Sequence, residues 1–542
     1  MPELVLGPLL RYVDECQATV WVEASEECVV DVMDCPTPTF EVEGHHFALI
    51  VISGLQAGRS YPYQVTLNGR TVWPMDVSSR PSTIRTRQPG APLRLSFGSC
   101  RIAGPHDAAA NSTSRKSERG RGLDTLRALA LKLAHVSPET WPDALLFLGD
   151  QVYADDVSPE TAEFIRHRRP PKSEPVAQVA DFEEYTRLYR ESWTSPEIRW
   201  LLSTVPSAMI FDDHDIHDDW NTSEAWRQKM WALPWWKERI VGGLVSYWVY
   251  QHIGNLSPQE LAEDARFRAL SEPGDHGPEL RQFALSADAQ PEGVRWSYRR
   301  DWDGVRLVVV DSRSARVLTP GAREMLDPDE WDWLAEQFAE PCAHLLLATS
   351  LPYLLPHAIH DVEAWDEAIC DGSWGPPGRW LGEKVRQAID LEHWAAFQRS
   401  FARLTGLIRG AATGSTPPAS IIALSGDIHY AYVAEATLLG DIETSTKIYQ
   451  LVCSPLRNVI ERRIVAVNRF ATSRFGQWLG RTLVRTARVT PTIDWVVTDG
   501  PWFGNEMATL DFEERSAHFR IERATTTDAG DVLELVGSRA LV

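Results

Sequence analysis

Short, unbroken apolar runs recur along this chain, and each ends abruptly in polar residues. The clearest is Ala144 to Leu148, which is followed at once by Gly149 and Asp150. A run of this length without alternation predicts a strand that is buried on both faces of a sheet. A Gly-Asp step there lets the backbone turn tightly and leaves a carboxylate at the strand's carboxyl end, where ligands bind in open α/β sheets. Taken alone, the same step is as typical of a solvated acidic turn.

The pattern of an apolar strand with a polar ending occurs three more times, which favours a shared site over chance. Each ending contains side chains of the types that bind metal ions. A parallel sheet would bring the four carboxyl ends together, so the pattern predicts a metal site at that edge. Residues 93–97 precede Gly98-Ser99-Cys100-Arg101, residues 208–211 precede Asp212-Asp213-His214-Asp215, and residues 421–424 precede Ser425-Gly426-Asp427-Ile428-His429-Tyr430.

Residues 1–88 show a different pattern, with short strands that alternate between apolar and polar positions, as in residues 17–23. Strands of this length at this spacing are typical of a small β-sandwich. The arrangement of Leu55, Tyr61 and Tyr63 resembles that of a fibronectin type III domain. We therefore expect a separate N-terminal all-β domain.

The remaining residues, 89–542, are expected to form one larger domain, because turn residues at 88–92 indicate a linker. Residues 193–251 are predicted to be a helical insertion, and they contain eight of the 22 tryptophans. The default interpretation is that these tryptophans belong to the core. The alternative is a lid over the strand ends, because aromatic side chains often line ligand clefts. Residues 505–542 are predicted to form a C-terminal strand pair.

Composition limits the classes of partner. At 542 residues the chain is expected to form two or more domains, and its formal charge of −21 disfavours nucleic acids and anionic membrane surfaces as main partners. Small phosphate esters remain compatible, because a bound cation can reverse the local field. There is no apolar run of about 18 residues that would span a bilayer. Seven cysteines without a CxxC pair, and no visible signal peptide, predict a cytoplasmic location. The oligomeric state stays open.

The polar endings allow metal-assisted chemistry. Asp150 can bridge two cations, since a carboxylate has two oxygens, and two cations can clamp a phosphate and lower the pKa of a bound water to about 7. His214, which is flanked by two aspartates, can protonate the leaving oxygen or stabilise the transition state. Ser99 beside Cys100 would suggest nucleophilic catalysis, but the sequence has no G-x-S-x-G elbow and no phosphate-binding loop.

In order and spacing, these motifs resemble those of the PhoD-like (alkaline phosphatase D) metallophosphatases, and so does a β-sandwich ahead of the larger domain. The resemblance implies an α/β fold, a four-layer αββα sandwich preceded by a small all-β, fibronectin III-like domain. The motifs that carry the resemblance are Gly98-Ser99-Cys100, Leu148-Gly149-Asp150-Gln151-Val152-Tyr153-Ala154-Asp155, Phe211-Asp212-Asp213-His214-Asp215 and Ser425-Gly426-Asp427-Ile428-His429-Tyr430.

The resemblance also implies a centre that contains ferric iron and calcium, although other divalent metals are compatible with the residues. His214 would face the leaving group, and Asp150 would serve both metals. Asp212 is an alternative to Asp213, because both precede His214. Iron would be held by Cys100, Asp150, Tyr153 and His429, and calcium by Asp150, Asp213 and Asp427.

The chain departs from the family pattern in two ways. PhoD-like proteins are typically exported by a twin-arginine signal, and none is visible here. His217 stands where a more acidic or neutral residue would be expected, and we predict that it binds substrate together with Arg101 and Arg313. The resulting hypothesis is a metal-dependent phosphoesterase that hydrolyses phosphate monoesters, diesters or both with a metal-activated water. The alternatives are a phospholipase D-like phosphodiesterase and a non-catalytic protein that binds metal or phosphate ligands on the same fold.

Overall fold

The computed structural model describes residues 1–75, 80–113, 120–440, 443–458, 462–471, 473–528 and 530–542. Its N-terminal part is an all-β module in which two antiparallel four-stranded sheets, β1-β2-β6-β5 and β4-β3-β8-β9, enclose a core that includes Leu10, Val20 and Ile50. The predicted boundary after residue 88 stays a prediction. The strands of this part are β1 (Leu4–Val13), β2 (Gln17–Ala24), β3 (Val29–Val32), β4 (Cys35–Pro38), β5 (Phe40–Val42), β6 (His45–Ser53), β7 (Ser60–Pro62), β8 (Val65–Leu67), β9 (Arg70–Trp73) and β10 (Thr83–Arg85).

The rest of the chain is built on two large sheets. A six-stranded sheet has the order β13-β12-β11-β21-β22-β23, and a seven-stranded sheet has the order β14-β15-β16-β17-β19-β18-β20. Their strands are β11 (Leu93–Gly98), β12 (Ala144–Leu148), β13 (Ser207–Ile210), β14 (Tyr298–Trp302), β15 (Val305–Val310), β16 (His344–Thr349), β17 (Ser420–Ser425), β18 (Ala431–Leu438), β19 (Lys447–Val452), β20 (Ile493–Trp502), β21 (Glu506–Glu513), β22 (Ser516–Thr527) and β23 (Gly530–Ala540).

Fifteen α-helices are present in the described ranges, and several begin at the polar N-cap that the sequence supplies. Asp327, for example, accepts hydrogen bonds from two backbone N–H groups at the start of its helix, where Pro328 is the first residue. The helices are α1 (Thr125–His135), α2 (Pro159–Arg168), α3 (Phe182–Trp193), α4 (Pro196–Thr204), α5 (Glu224–Trp231), α6 (Trp236–Ser246), α7 (Pro258–Glu263), α8 (Ala265–Ala269), α9 (Gly277–Ala289), α10 (Pro328–Ala339), α11 (His357–Cys370), α12 (Gly375–Ala388), α13 (Gln398–Thr413), α14 (Arg462–Ala471) and α15 (Arg474–Thr486).

The two large sheets pack face to face between layers of helices. On β15, Leu307 and Val309 belong to the core cluster that also contains residues of the six-stranded sheet. The alternate residues Val308 and Val310 belong to a second cluster, together with residues of α10 and α13. Because successive side chains of a strand point to opposite faces, both faces of this sheet are buried, which explains the unbroken apolar runs. The predicted four-layer αββα fold with an all-β N-terminal region is therefore confirmed.

The apolar pattern suggested that the four polar strand endings belong to one parallel sheet, but they belong to two. Strands β11, β12 and β13 are parallel neighbours in the six-stranded sheet, whereas β17 lies in the seven-stranded sheet. The expectation of one sheet was wrong, because apolar strands of this type also occur in two sheets that bury each other. The endings still meet, since the two sheets are packed face to face.

The C-terminal region contains more strands than predicted. The expected pair corresponds to β21 and β22, which are antiparallel, and β23 follows as a third strand that pairs with β22. Strand β21 also pairs with β11 in antiparallel orientation, so the chain's end completes the sheet that carries the site.

The Trp-rich segment is largely core. Trp193, Trp220, Trp236 and Trp248 are each about 1% exposed. They belong to the core cluster of the six-stranded sheet, which supports the default interpretation of this segment. In the described part of the chain, no helix is long and apolar enough to cross a membrane.

Candidate active site

Polar residues after β11, β12 and β17 meet at one edge of the two sheets. The Cys100 N–H donates to the Gly149 carbonyl at 3.3 Å, which joins the endings of two neighbouring strands. The Asp427 N–H donates to Ser99 Oγ at 3.1 Å, which joins the two sheets. A Cβ at Gly426 would lie 2.0 Å from Ser99 Oγ, so this close approach requires glycine. The motifs of distant segments therefore form one site.

Four candidate ligands occupy strained backbone at this edge. The φ angles are 56° at Cys100, 54° at Asp150, 66° at Asp427 and 59° at His429. A non-glycine residue in this region costs about 1–3 kcal/mol, and such residues concentrate at functional sites. The strain gives these four side chains directions that a regular strand ending would not supply.

The side chains form three overlapping groups of possible metal ligands. Within each group, the ligand atoms all lie within 4.8 Å of one another. Asp150 belongs to two of the groups, and it also accepts a hydrogen bond of 3.1 Å from the Tyr153 hydroxyl. The groups are Cys100, Asp150 and His429; Asp150, Asp213 and His214; and Asp212, Asp213 and Asp427.

A cavity of about 750 Å³ opens over these groups. That volume is typical of a site that encloses a small molecule. Asp150, Asp213, His214, Asp427 and His429 contribute to its lining, and no tryptophan of the described chain does. The lid alternative for these tryptophans therefore has no support from the cavity lining. The remaining lining is largely apolar and includes Leu355, Ala358, Ile359 and Val362 in and before α11, and Phe470, Leu479 and Leu483 of α14 and α15.

The carboxylates of this site fit a cation. Asp150 Oδ1 and Asp212 Oδ2 are buried and have no hydrogen-bond partner among the described residues, and Asp213 Oδ1 has only an ion pair of 3.3 Å with Arg313. Burial raises the pKa of all three carboxyl groups above the usual range. Their charged forms are thus costly in the protein alone, and a bound cation would offset that cost.

The other donors match a transition metal better than calcium. Burial lowers the pKa of His429 to about 4, so its imidazole is neutral, as a metal ligand must be. Burial raises the pKa of the Cys100 thiol and of the Tyr153 phenol well above their usual values. A coordinating cation deprotonates such groups, and thiolate selects transition metals over calcium or magnesium.

His214 is oriented by a carboxylate. Its Nδ1 lies 2.9 Å from Asp155 Oδ1, and its ring stacks on Tyr153 with the centroids 4.7 Å apart. Burial lowers the pKa of His214, but the carboxylates of Asp213 and Asp155 outweigh it and raise the pKa well above its usual value. An oriented imidazolium in the cavity can donate a proton to a leaving oxygen.

His393, which sequence reasoning missed, supports a candidate ligand. Its Nε2 lies 3.2 Å from Asp427 Oδ2, and its Nδ1 lies 2.6 Å from Glu363 Oε1. Hydrogen bonds of this kind hold metal ligands in position. His393 follows α12 rather than a strand, and Glu363 precedes it by 30 residues, so no local motif marks the pair.

Arg313 lies beside the donor groups, but it is fully buried. Its Nε lies 2.5 Å from Asp212 Oδ1, it pairs with Glu392, and its Nη2 lies 3.3 Å from Asp213 Oδ1. The guanidinium therefore balances carboxylate charge and does not line the cavity. Arg313 pairs with one oxygen of each aspartate, so these contacts do not decide between Asp212 and Asp213, but only Asp213 lines the cavity.

The other two predicted substrate-binding residues also lie outside the cavity lining. Arg101 donates to Asp124 at 2.7 Å and to the Ser192 carbonyl at 2.8 Å. The Nδ1 atom of His217 faces the Asp218 carbonyl at 2.8 Å, and the ring stacks on Trp235 with the centroids 6.3 Å apart. Their predicted substrate role has no support from this placement, because both side chains are already engaged.

Comparisons with known proteins agree with the fold. Residues 132–270 match the model of the PhoD-like phosphatase family, and residues 1–84 match a domain of unknown function, DUF7800. A solved structure entitled "Structure of PhoD" superimposes with a TM-score of 0.57 at 12% identity, covering 100% of this chain and 92% of that one.

The chain therefore shares the fold of that PhoD structure. The resemblance to the PhoD-like family that the motifs predicted is confirmed. An amylomaltase structure from Corynebacterium glutamicum, 10% identical, covers 89% of this chain and 64% of that one with a TM-score of only 0.11. No curated protein matches the chain.

Proposed function

We propose that this protein is a metal-dependent phosphoesterase that hydrolyses phosphate monoesters, diesters or both with a metal-activated water. The observation that carries the proposal is the position of Asp150, whose carboxylate belongs to two groups of ligand atoms that are each within 4.8 Å. A carboxylate shared by two groups is the arrangement expected of a bridging ligand. The PhoD-like match of residues 132–270 supports the same reaction class.

The donor types support ferric iron on one side of Asp150 and calcium on the other. Cys100, Tyr153 and His429 would hold the iron, because thiolate, phenolate and imidazole suit a transition metal. Asp213 and Asp427 would hold the calcium, which prefers carboxylate oxygens. Bound there, the metals would polarise the phosphoryl group and lower the pKa of a water molecule.

The protein's own residues would position these groups and move one proton. Glu363 and His393 would fix the Asp427 carboxylate through the hydrogen bonds described above. His214, held at Nδ1 by Asp155, would donate its proton to the oxygen of the leaving group as the ester bond breaks. His214 and Asp150 are thus the proposed catalytic residues.

The apolar part of the cavity favours a second candidate within the same class, a phospholipase D-like phosphodiesterase. Side chains of α11, α14 and α15 would accommodate an apolar substituent beside the phosphate. A free monoester such as a small sugar phosphate would leave that surface without a partner. We therefore propose that the substrate carries an apolar substituent.

The cytoplasmic location of the protein stays a prediction.

Turnover of para-nitrophenyl phosphate and of bis(para-nitrophenyl) phosphate by the purified protein tests the proposal. We expect hydrolysis of at least one ester, loss of turnover after treatment with a strong chelator, and recovery when metal is restored. Tight phosphate binding without turnover of either ester would instead favour the non-catalytic alternative. Turnover that survives complete metal removal would contradict the metal dependence.

A further inference from the structure

Three helices, which we call the cap, form the apolar side of the cavity: α11, α14 and α15. Helix α15 packs closely on α11, because a Cβ at Gly480 would lie only 3.1 Å from Ala358 Cα. Gly480 and Leu483 line the cavity. The cap thus has an inner face toward the site and an outer face toward solvent.

The outer face of the cap exposes large apolar side chains. Phe475 is 61% exposed and Trp478 is 60% exposed, and their rings stack with the centroids 5.8 Å apart. Exposed aromatic clusters of this kind mark interaction sites rather than ordinary solvent-facing surface.

The surface continues into the cavity. Phe470 and Leu479 are each 46% exposed, and both also line the cavity over the donor groups. An apolar path therefore leads from the outer face of the cap to the site, along one side of α14 and α15. The apolar chains of a partner would contact apolar side chains along the whole of this path.

The segment that contains α14 and α15 has a charge opposite in sign to that of the whole chain. Residues 462–488 contain seven arginines and no aspartate, glutamate or lysine, whereas the chain has a formal charge of −21. In this segment the side chains of Arg469, Arg481, Arg485 and Arg488 are exposed. The argument from net charge, which disfavoured anionic membrane surfaces, does not apply to this face.

We propose that the outer face of the cap docks on an anionic lipid surface and presents the cavity to it. Aromatic side chains flanked by arginines are typical of helices that lie in a membrane interface, where the rings enter the headgroup region and the cations meet anionic headgroups. The apolar path from the surface to the cavity fits lipid chains.

A second copy of this chain fits the face less well. In a two-fold dimer the same patch meets itself, so the exposed Arg481, Arg485 and Arg488 would face the same arginines of the other copy. The phosphates of a nucleic acid would pair with the arginines, and its bases could stack on Trp478. However, a nucleic acid has no aliphatic chains that would fill the path through Leu479 into the cavity. Both occupants are outcomes that the test separates from a lipid surface.

Co-sedimentation of the full chain with lipid vesicles tests this proposal. We expect binding to vesicles that contain phosphatidylglycerol, little binding to pure phosphatidylcholine vesicles, and release at high salt. The double variants Phe475→Ser with Trp478→Ser, and Arg481→Gln with Arg485→Gln, should each weaken vesicle binding by about tenfold or more. None of these four residues lines the cavity, so hydrolysis of soluble nitrophenyl esters should stay unchanged.

Matched controls come from elsewhere on the surface. Trp231→Ser changes a tryptophan on α5 that is 39% exposed, and Arg266→Gln with Arg268→Gln changes two exposed arginines on α8. These variants should bind vesicles as the unchanged protein does. Circular dichroism establishes folding for every variant. Because vesicle binding needs no turnover, the docking proposal can fail or hold independently of the proposed hydrolysis.

Three results would overturn the docking proposal. The first is an absence of binding to phosphatidylglycerol vesicles, and the second is equal binding by the cap variants and the control variants. The third is a protein that does not bind vesicles but forms a concentration-dependent dimer or binds an oligonucleotide, and that loses this dimer or this binding in the cap variants. The last outcome would assign the face to a second copy or to a nucleic acid.

Discussion

Asp150→Asn is expected to lower kcat for phosphate-ester hydrolysis by about 10³-fold or more and to remove bound metal, while the fold is kept. Asp150 contributes to two of the three ligand groups, so losing its charge leaves both incomplete. Asparagine has nearly the same shape, and it tolerates the φ of 54° at this position better than most residues. Steady-state kinetics, metal analysis and circular dichroism of the same preparation check each part.

Asp156→Asn is the matched control for this variant. Asp156 lies in the same loop, but its side chain is 56% exposed and pairs with Arg121 at 3.2 Å. An exposed pair of this kind contributes about 0–1 kcal/mol, so kcat and metal content should stay near normal. If Asp150→Asn kept nearly normal turnover with its metal in place, Asp150 would not be a bridging ligand.

His214→Ala is expected to lower kcat for an alkyl phosphate ester by about 10²–10⁴-fold, the usual worth of general acid catalysis. The loss should be much smaller for a nitrophenyl ester, because that leaving group departs without a proton. Metal content should be unchanged, since the proposed role of His214 is proton donation. Kinetics on the two esters, with metal analysis, give the comparison.

His167→Ala provides the histidine control, because His167 is exposed on α2 and its Nδ1 faces a carbonyl of the same helix. Its kinetics should match those of the unchanged protein on both esters. Equal losses on the two esters in His214→Ala would argue against acid catalysis. Loss of metal in that variant would instead make His214 a ligand, which its place in one of the ligand groups allows.

The buried strands could be predicted from the sequence because their physical cause is local. Residues 144–148 and 421–424 are unbroken apolar runs, and both form strands whose two faces are buried. Their assignment to different sheets could not be predicted in the same way. An apolar run fixes that a strand is buried, but it does not fix which neighbour buries it.

The candidate ligands were predictable because each stands in a short motif directly after a strand. Cys100, Asp150 and His429 fall within 4.8 Å of one another although they come from three different strand endings. The supporting roles had no such signal. Arg313 was singled out, but as a substrate-binding residue, and His393 was not singled out. Their pairing with Asp212 and Glu363, which are distant in sequence, is made only in the folded chain.

The exposed apolar face of the cap could not be predicted from hydrophobic periodicity alone. Helices α14 and α15 have apolar positions on the cavity side and further apolar positions on the outer side, so the sequence does not separate core from surface there. Its arginine-rich composition was visible, but the net charge of the whole chain concealed it. Local charge, rather than net charge, decides which surfaces a protein can approach.

Metal content and visible absorption of the purified protein, measured together with turnover, test the central claim most directly. We expect bound iron in proportion to turnover, and a charge-transfer band that weakens in Cys100→Ser and in Tyr153→Phe. A colourless protein with full turnover and only calcium, magnesium or zinc would contradict the roles of Cys100 and Tyr153. Full turnover by metal-free protein would contradict the metal centre itself.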